Sequence, residues 1–334
     1  MRIAINGFGR IGRIFLRNIL GKPEITVVAI NDLADNHTLA HLFKYDSVHR
    51  SFKGTVNYDE DHLYINEHEI KTFSEADPSA LPWKELGVQL VIESTGKFTS
   101  KQGAGLHLLA GAKQVVISAP SADKSVPVVV LGVNDSTFDM HSPIISNASC
   151  TTNNVAVMVK ILDDNWGIID GYITTVHSMT SDQNLHDAPH KDLRRARAAS
   201  ASIIPTTTGA AKAITAIFPN LEGRLGGAGI RVPVLNGSLT DFTCSLKVRP
   251  AVEDINKAFF EAAKTTMKNI LEYTEDPIVS SDILDNTHSC IFDSRLTSIV
   301  GGLVKVVGWY DNEMGYSCRL ADLVEKIRES YQMF

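Results

Sequence analysis

Arg2-Ile3-Ala4-Ile5-Asn6-Gly7-Phe8-Gly9-Arg10-Ile11-Gly12 decides the fold of this chain. Residues 2–6 read as a short strand. Gly7, Gly9 and Gly12 then fall in the pattern G-x-G-x-x-G, and Ile14, Phe15, Asn18 and Ile19 continue at helical spacing until Lys22-Pro23. Next comes Ile25-Thr26-Val27-Val28-Ala29-Ile30, almost wholly apolar and β-branched, as suits a strand covered on both faces. Strand, helix and strand over about 30 residues predict a βαβ unit and a parallel sheet.

The glycine pattern follows a strand and opens a helix, the context in which it carries chemistry. Glycines there permit a tight turn and let a pyrophosphate approach the helix N-terminus. Asp32 lies 20 residues past Gly12, at the end of the second strand. A carboxylate in that place accepts hydrogen bonds from an adenosine ribose and repels a 2′-phosphate, so NAD is expected rather than NADP. Further buried-type strands are Gln89–Glu93 and Gln114–Ser118, with Val128–Gly132 a third. Thr95-Gly96 and Ser118 fall at carboxyl ends of such strands, where parallel sheets hold ligands. The alternating, charged segment 54–73 reads as a local hairpin.

After Asn153 the texture changes. Tyr172–His177 and Leu239–Leu246 alternate, which predicts antiparallel or mixed sheet. The fold class expected is α/β: an N-terminal doubly wound (Rossmann) parallel sheet, then an α+β catalytic domain. Helices are expected over 211–218, 252–270 and 317–331. Residues 178–202 are polar and basic without periodicity, the kind of long segment that serves a site or an interface.

Cys150 stands out chemically. It sits in Ser146-Asn147-Ala148-Ser149-Cys150-Thr151-Thr152-Asn153, after the apolar run Pro143-Ile144-Ile145 and before Val155, Met158, Val159 and Leu162 at helical spacing. That places it at a helix N-terminus among capping residues, where a thiolate is favoured as the resting form. A thiolate attacks electrophilic carbon. His177 ends a strand 27 residues later and is the expected base or thiolate partner. Thr206-Thr207-Thr208-Gly209 opens another helix and suits an anion, and Arg231 offers a bidentate contact.

Composition excludes several classes. A net charge of -6 leaves no electrostatic footprint for nucleic acid or an anionic membrane. No run of 18 apolar residues exists to span a bilayer, and the N-terminus runs into a strand without a signal-peptide core. Cys150, Cys244, Cys290 and Cys318 show no CxxC spacing, so no zinc site is expected and reduced thiols in a cytoplasm are.

The blocks Ile5–Arg13, Ser146–Asn153, His190–Arg197 and Trp309–Tyr316 together resemble the phosphorylating, bacterial-type glyceraldehyde-3-phosphate dehydrogenase family over essentially the whole chain. The resemblance implies an NAD-binding domain over 1–149, with a C-terminal helix 314–334 packing back on it, and a catalytic domain over 150–313. It implies oxidation of glyceraldehyde 3-phosphate with inorganic phosphate through a Cys150 thioester, with His177 as base. Thr180 and Arg231 match the family's substrate-phosphate site. Ser149, Thr151, Thr208 and Gly209 match its inorganic-phosphate site, with Arg195 beside them. Asn312 matches the residue that orients the nicotinamide amide, and Tyr316 falls in the same cofactor-binding run. The cofactor set is completed by Gly7, Phe8, Gly9, Arg10, Ile11, Gly12, Asp32, Thr95, Gly96 and Ser118. A cytoplasmic homotetramer is implied, with segment 178–202 as the S-loop lining a neighbouring subunit's NAD site. Met179 stands where the family commonly has tyrosine, Ala188 stands before Pro189 where many bacterial members have a bulkier residue, and Leu235–Leu239 departs from the usual run. Erythrose-4-phosphate dehydrogenase, which hydrolyses its thioester, shares the cysteine block, and an arsenate-handling paralogue would use the same phosphate site. Thr207-Thr208-Gly209-Ala210 resembles the phosphorylating kind.

Overall fold

The computed structural model describes residues 1–331. Residues 332–334 of the expected C-terminal helix lie outside them. The chain divides into two units: residues 1–129, 137–148 and 320 onward, and residues 130–136 with 149–319.

Unit one holds β1 (Arg2–Asn6), α1 (Arg10–Ile19), β2 (Thr26–Asn31), α2 (Asn36–Lys44), β3 (Val56–Tyr58), β4 (His62–Ile65), β5 (His68–Phe73), β6 (Leu90–Glu93), α3 (Lys101–Leu109), β7 (Gln114–Ile117) and β8 (Ile144–Ser146). The sheet order is β3-β4-β5-β2-β1-β6-β7-β8. From β5 to β8 every pair is parallel. β1 is therefore flanked by β2 on one side and β6 on the other, and the order reverses beside it. Such a switch point opens a crevice at the carboxyl ends of the strands. Ile3, Ile5, Ile30, Val91, Ile92, Val115 and Val116 are buried completely, as a sheet covered on both faces requires.

Two expectations for this unit need correction. Segment 54–73 is a three-strand meander whose last strand, β5, pairs antiparallel with β4 on one side and parallel with β2 on the other. Val128–Gly132 is not a strand; only Val128 bridges Ser146. The N–H groups that a ladder would need are captured locally, Val130 by Asn134 Oδ1 at 2.8 Å and Gly132 by Asp135 Oδ1 at 2.7 Å.

Unit two holds α4 (Cys150–Trp166), β9 (Ile168–Ser178), β10 (Ile204–Thr206), α5 (Ala210–Ile217), β11 (Leu225–Val232), β12 (Ser238–Leu246), α6 (Val252–Lys264), β13 (Leu271–Thr274), β14 (Cys290–Asp293), β15 (Ser298–Val300) and β16 (Leu303–Tyr310). Its sheet runs β10-β11-β9-β12-β16-β14-β13, with β15 on β16. It is mixed: β9 pairs parallel with β11 and antiparallel with β12. β12 alternates buried and half-buried residues throughout, the period of a strand with two unlike faces. The helix expected over 252–270 ends at Lys264, because Thr265 leaves helical geometry and the chain turns into β13. The last helix, α7 (Met314–Ser330), passes from unit two into unit one at residue 320. Within unit one it is held by Lys22–Glu325 at 3.3 Å and Glu24–Arg328 at 2.9 Å.

Candidate active site

The site in unit two is built by a helix and strand that run out and back. α4 has 17 residues, about 25 Å of helix at 1.5 Å per residue. Gly167, at φ 68, turns the chain, and the 11 residues of β9 run back along the helix far enough to reach its start. The start of the helix and the end of the strand therefore meet. Cys150 is the first residue of α4, and its Sγ lies 3.5 Å from His177 Nε2. Ser149 is the N-cap and its Oγ accepts from the Thr152 N–H at 3.1 Å. Just before it, Ala148 is held at φ 55, a left-handed conformation costly for a residue with a Cβ.

Register brings the third residue. Arg231 on β11 pairs with His177 on β9. Its guanidinium nitrogen lies 2.7 Å from His177 Nδ1 and 3.0 Å from the Ser178 carbonyl, which itself is 2.8 Å from Nδ1. Two partners compete for Nδ1: the Arg231 N–H can only donate to it, while the Ser178 carbonyl can only accept from it. It is the Nδ1–H tautomer, donating to Ser178, that leaves the Nε2 lone pair facing Cys150 as a base requires.

Burial and charge compete here. Burial pushes the Cys150 thiol up, while the Arg231 charge and the Thr151 N–H pull it down. Burial and then Arg231 push His177 down to about 4. This corrects the expectation that the helix N-terminus alone makes the thiolate the resting form: desolvation opposes it, and Arg231 is the main counterweight. Cys244 and Cys290 are buried, and burial pushes Cys244 up to about 12, so neither thiol has nucleophilic character.

The other expected site residues of unit two are placed as follows. Asn312 is buried, and its Oδ1 accepts from Ser178 Oγ at 2.8 Å, Ser238 Oγ at 2.9 Å and the Gly237 N–H at 3.2 Å. Gly209 caps α5, and Thr208 Oγ1 accepts from the Ala210 N–H at 3.2 Å. Thr180 donates to Asp182, and Arg195 pairs with the same carboxylate. The Thr151 hydroxyl faces inward, 2.9 Å from the Tyr310 hydroxyl. Tyr316 is buried.

In unit one, Gly7, Gly9, Asp32 and Thr95 of the expected cofactor residues line one cleft at the switch point, and Phe8, Arg10, Ile11, Gly12, Gly96 and Ser118 are not among its lining residues. Gly7 is at φ 92, and a Cβ there would stand 2.7 Å from the Thr95 nitrogen. A Cβ on Gly12 would stand 2.3 Å from the Gly7 carbonyl oxygen, whereas one on Gly9 would meet nothing. The turn is thus closed on the protein side and open on the ligand side, which fits a pyrophosphate. Asp32 accepts from the Phe8 N–H at 2.7 Å and the Ala34 N–H at 3.0 Å, which fixes its carboxylate beside the turn. Asn6, Gly7, Gly9, Asp32 and Thr95 line the cleft with Leu33 and Phe98. Arg10 and Ile11 begin α1, Gly96 turns at φ 71, and the Ser118 N–H donates to the Glu93 carbonyl.

Residues 1–101 match the family model described as glyceraldehyde 3-phosphate dehydrogenase, NAD binding domain, and residues 149–312 match its C-terminal domain. The chain belongs to the glyceraldehyde 3-phosphate dehydrogenase family. A glyceraldehyde-3-phosphate dehydrogenase of Mycobacterium avium is 53% identical over 99% of both chains. One of Thermotoga maritima is 54% identical over 97% of this chain and 98% of its own. Membership makes the chain an NAD-dependent oxidoreductase of α/β class.

Sequence reading passed over four residues that these clusters use. Asp46 pairs with Arg10 at 2.5 Å and accepts from two N–H groups. Tyr310 links Thr151 to Thr175 through its hydroxyl, 2.9 Å from each. Asp182 joins Thr180 and Arg195. Glu93 is a buried carboxylate ending β6. Tyr310 lay inside the quoted Trp309–Tyr316 block, and Glu93 was visible as a charge on an otherwise apolar strand.

Proposed function

We propose that the protein is a phosphorylating glyceraldehyde-3-phosphate dehydrogenase, oxidising glyceraldehyde 3-phosphate to 1,3-bisphosphoglycerate. The observation that carries this reading is Cys150 Sγ at 3.5 Å from His177 Nε2, with Arg231 behind the imidazole.

Cys150 gives its proton to His177 Nε2, the sulfur adds to the aldehyde carbon as the C=O π bond opens, and the imidazolium returns the proton to the resulting oxyanion, which gives a hemithioacetal and a neutral His177. His177 takes the hydroxyl proton as the carbon is oxidised, leaving an acyl thioester on Cys150. NAD, held at the Gly7–Gly12 turn with Asp32 on the ribose, supplies the hydride acceptor when bound. An inorganic phosphate oxygen then attacks the thioester carbon; the C–S bond breaks, and the acyl phosphate leaves while sulfur departs as thiolate. Arg231 and Thr180 hold the substrate phosphate, and Ser149, Thr151, Thr208 and Gly209 hold the attacking phosphate. Arg195 joins them once its bond to Asp182 is exchanged for the anion. Asn312 and Tyr316 serve the nicotinamide end.

The division of labour follows the chain: residues 1–149 bind NAD, 150–313 carry the chemistry, and the C-terminal helix completes the first. Exposed Leu185, Leu193 and Ile203 in and beside the 178–202 segment support burial against neighbours in a homotetramer, with that segment reaching another subunit's NAD site. A thiol nucleophile needs a reducing compartment, which supports a cytoplasmic location. NADH formation from glyceraldehyde 3-phosphate, with and without inorganic phosphate, tests the reading. Sustained turnover should require phosphate; phosphate-independent turnover would make it a hydrolytic dehydrogenase.

A further inference from the structure

The carboxyl ends of β1 and β6 enclose a polar cluster that the chemistry above does not use. The Glu93 side chain is wholly buried, as is His107. Charged side chains are almost never buried so fully without partners. Glu93 Oε2 accepts from Asn6 Nδ2 at 2.6 Å and lies 3.0 Å from His107 Nε2. Glu93 Oε1 accepts from the Thr95 N–H at 2.8 Å and from the Thr95 hydroxyl. Trp83 Nε1–H donates to His107 Nδ1 at 3.0 Å. An indole nitrogen can only donate, so Nδ1 is the acceptor and the ring hydrogen sits on Nε2, aimed at Glu93. Asn31 extends the chain, donating to Asn6 Oδ1 at 2.7 Å.

The outer members of this cluster are cleft residues. Asn6, Asn31 and Thr95 line the crevice together with Gly7 and Asp32. The peptide that Glu93 pins at Thr95 is also the one that occupies the space beside Gly7, where a Cβ would stand 2.7 Å from the Thr95 nitrogen. The Ser94 hydroxyl ties the same segment to the Gly7 carbonyl at 2.6 Å. Any shift of residues 94–95 is transmitted to the turn.

We propose that Glu93 is a positioning residue for the NAD site. Its buried carboxylate, locked from behind by His107 and Trp83, fixes residues 94–95 and Asn6 on either side of the glycine turn and so preorganises the turn for the cofactor. The inference rests on reading that cleft as the NAD site.

NAD titration of Glu93→Gln, His107→Leu, His107→Gln and Asp32→Ala tests it, each followed by intrinsic fluorescence at a temperature well below its own Tm. Glu93→Gln turns an acceptor oxygen into a donor facing donors, and His107→Leu removes the lock. Both should raise the Kd for NAD about tenfold or more, the range for a lost hydrogen bond to a charged group. His107→Gln can donate to Glu93 and accept from Trp83, so it should stay near the wild-type Kd. A purely structural cluster would lower Tm and leave the Kd unmoved. An unchanged Kd in folded Glu93→Gln, with Asp32→Ala weakened, overturns the proposal while leaving the cleft as the NAD site. An unchanged Kd in both overturns the reading of the cleft, and the proposal with it. Failure of both Glu93→Gln and His107→Leu to fold would make the cluster a folding element and overturn the positioning role.

Discussion

Arg231 stands beside His177 across the parallel β9–β11 pair, its guanidinium nitrogen 2.7 Å from His177 Nδ1. One cation thereby acts on both Cys150 and His177, the pair proposed to carry the chemistry. It pulls the Cys150 thiol down against the push of burial, and it helps hold His177 neutral. Arg231→Leu should move the pH profile of Cys150 alkylation by iodoacetamide to higher pH. It should also raise the KM for glyceraldehyde 3-phosphate by about 10- to 150-fold, as expected for a lost hydrogen bond to a charged group. An alkylation profile that stays in place would remove Arg231 from the control of the thiol.

Thr208→Ala separates the two phosphate sites. The KM for inorganic phosphate should rise, and the pre-steady-state burst of NADH should keep its rate, since Cys150 and His177 are untouched. A collapsed burst with an unchanged phosphate KM would assign Thr208 to the other phosphate or to capping α5.

Asp32→Gly should erode the preference for NAD over NADP. The carboxylate that accepts from the Phe8 and Ala34 N–H groups would, in the proposed reading, also be the charge that repels a 2′-phosphate. The ratio of kcat/KM for the two cofactors measures it, and a ratio that does not move would take Asp32 away from the ribose.

Acid stability should depend on Asp46. The Arg10 hydrogen bond and the His49 and Val48 N–H groups outweigh burial and lower its carboxyl from 3.8 to about 2. The unfolded chain binds the proton first, so this stabilisation is complete above about pH 4 and is lost as pH falls toward 2. Asp46→Asn should therefore lose less stability than wild type between those limits, read as the shift in urea midpoint. Parallel losses in the two proteins would contradict it.

Much of this was legible before any coordinates. The Gly7–Gly12 turn and its flanking strands announce themselves because periodicity and glycine spacing are local properties. Cys150 was legible for the same reason, being set between a strand end and a helix stripe. The partners of these residues were less so. His177 could be placed near Cys150 only by supposing how α4 and β9 fold back, and the Arg231–His177 contact depends on strand register, which no single segment encodes. The family resemblance gives Thr151 a place in the inorganic-phosphate site, but the contact of its hydroxyl with Tyr310, 159 residues away, is not encoded in any single segment. The failed strand at Val128–Gly132 shows the same limit, since Asn134 and Asp135 claim its N–H groups. The low thiol pKa expected at a helix terminus ignored burial, which only the packed structure supplies.

Cys150→Ser should cut dehydrogenase turnover by at least about a thousandfold while leaving NAD affinity unchanged, because a serine hydroxyl is far less ionised. Retained turnover would need another nucleophile.

The central claim is a thioester on Cys150 that only phosphate releases. Mass spectrometry of the protein mixed with NAD and glyceraldehyde 3-phosphate, without inorganic phosphate, tests it most directly. One phosphoglyceroyl group should appear on the peptide containing Cys150 in step with one equivalent of NADH per site, and should vanish when phosphate is added. Continued NADH formation with Cys150 unmodified, or an acyl group on another residue, would contradict the account.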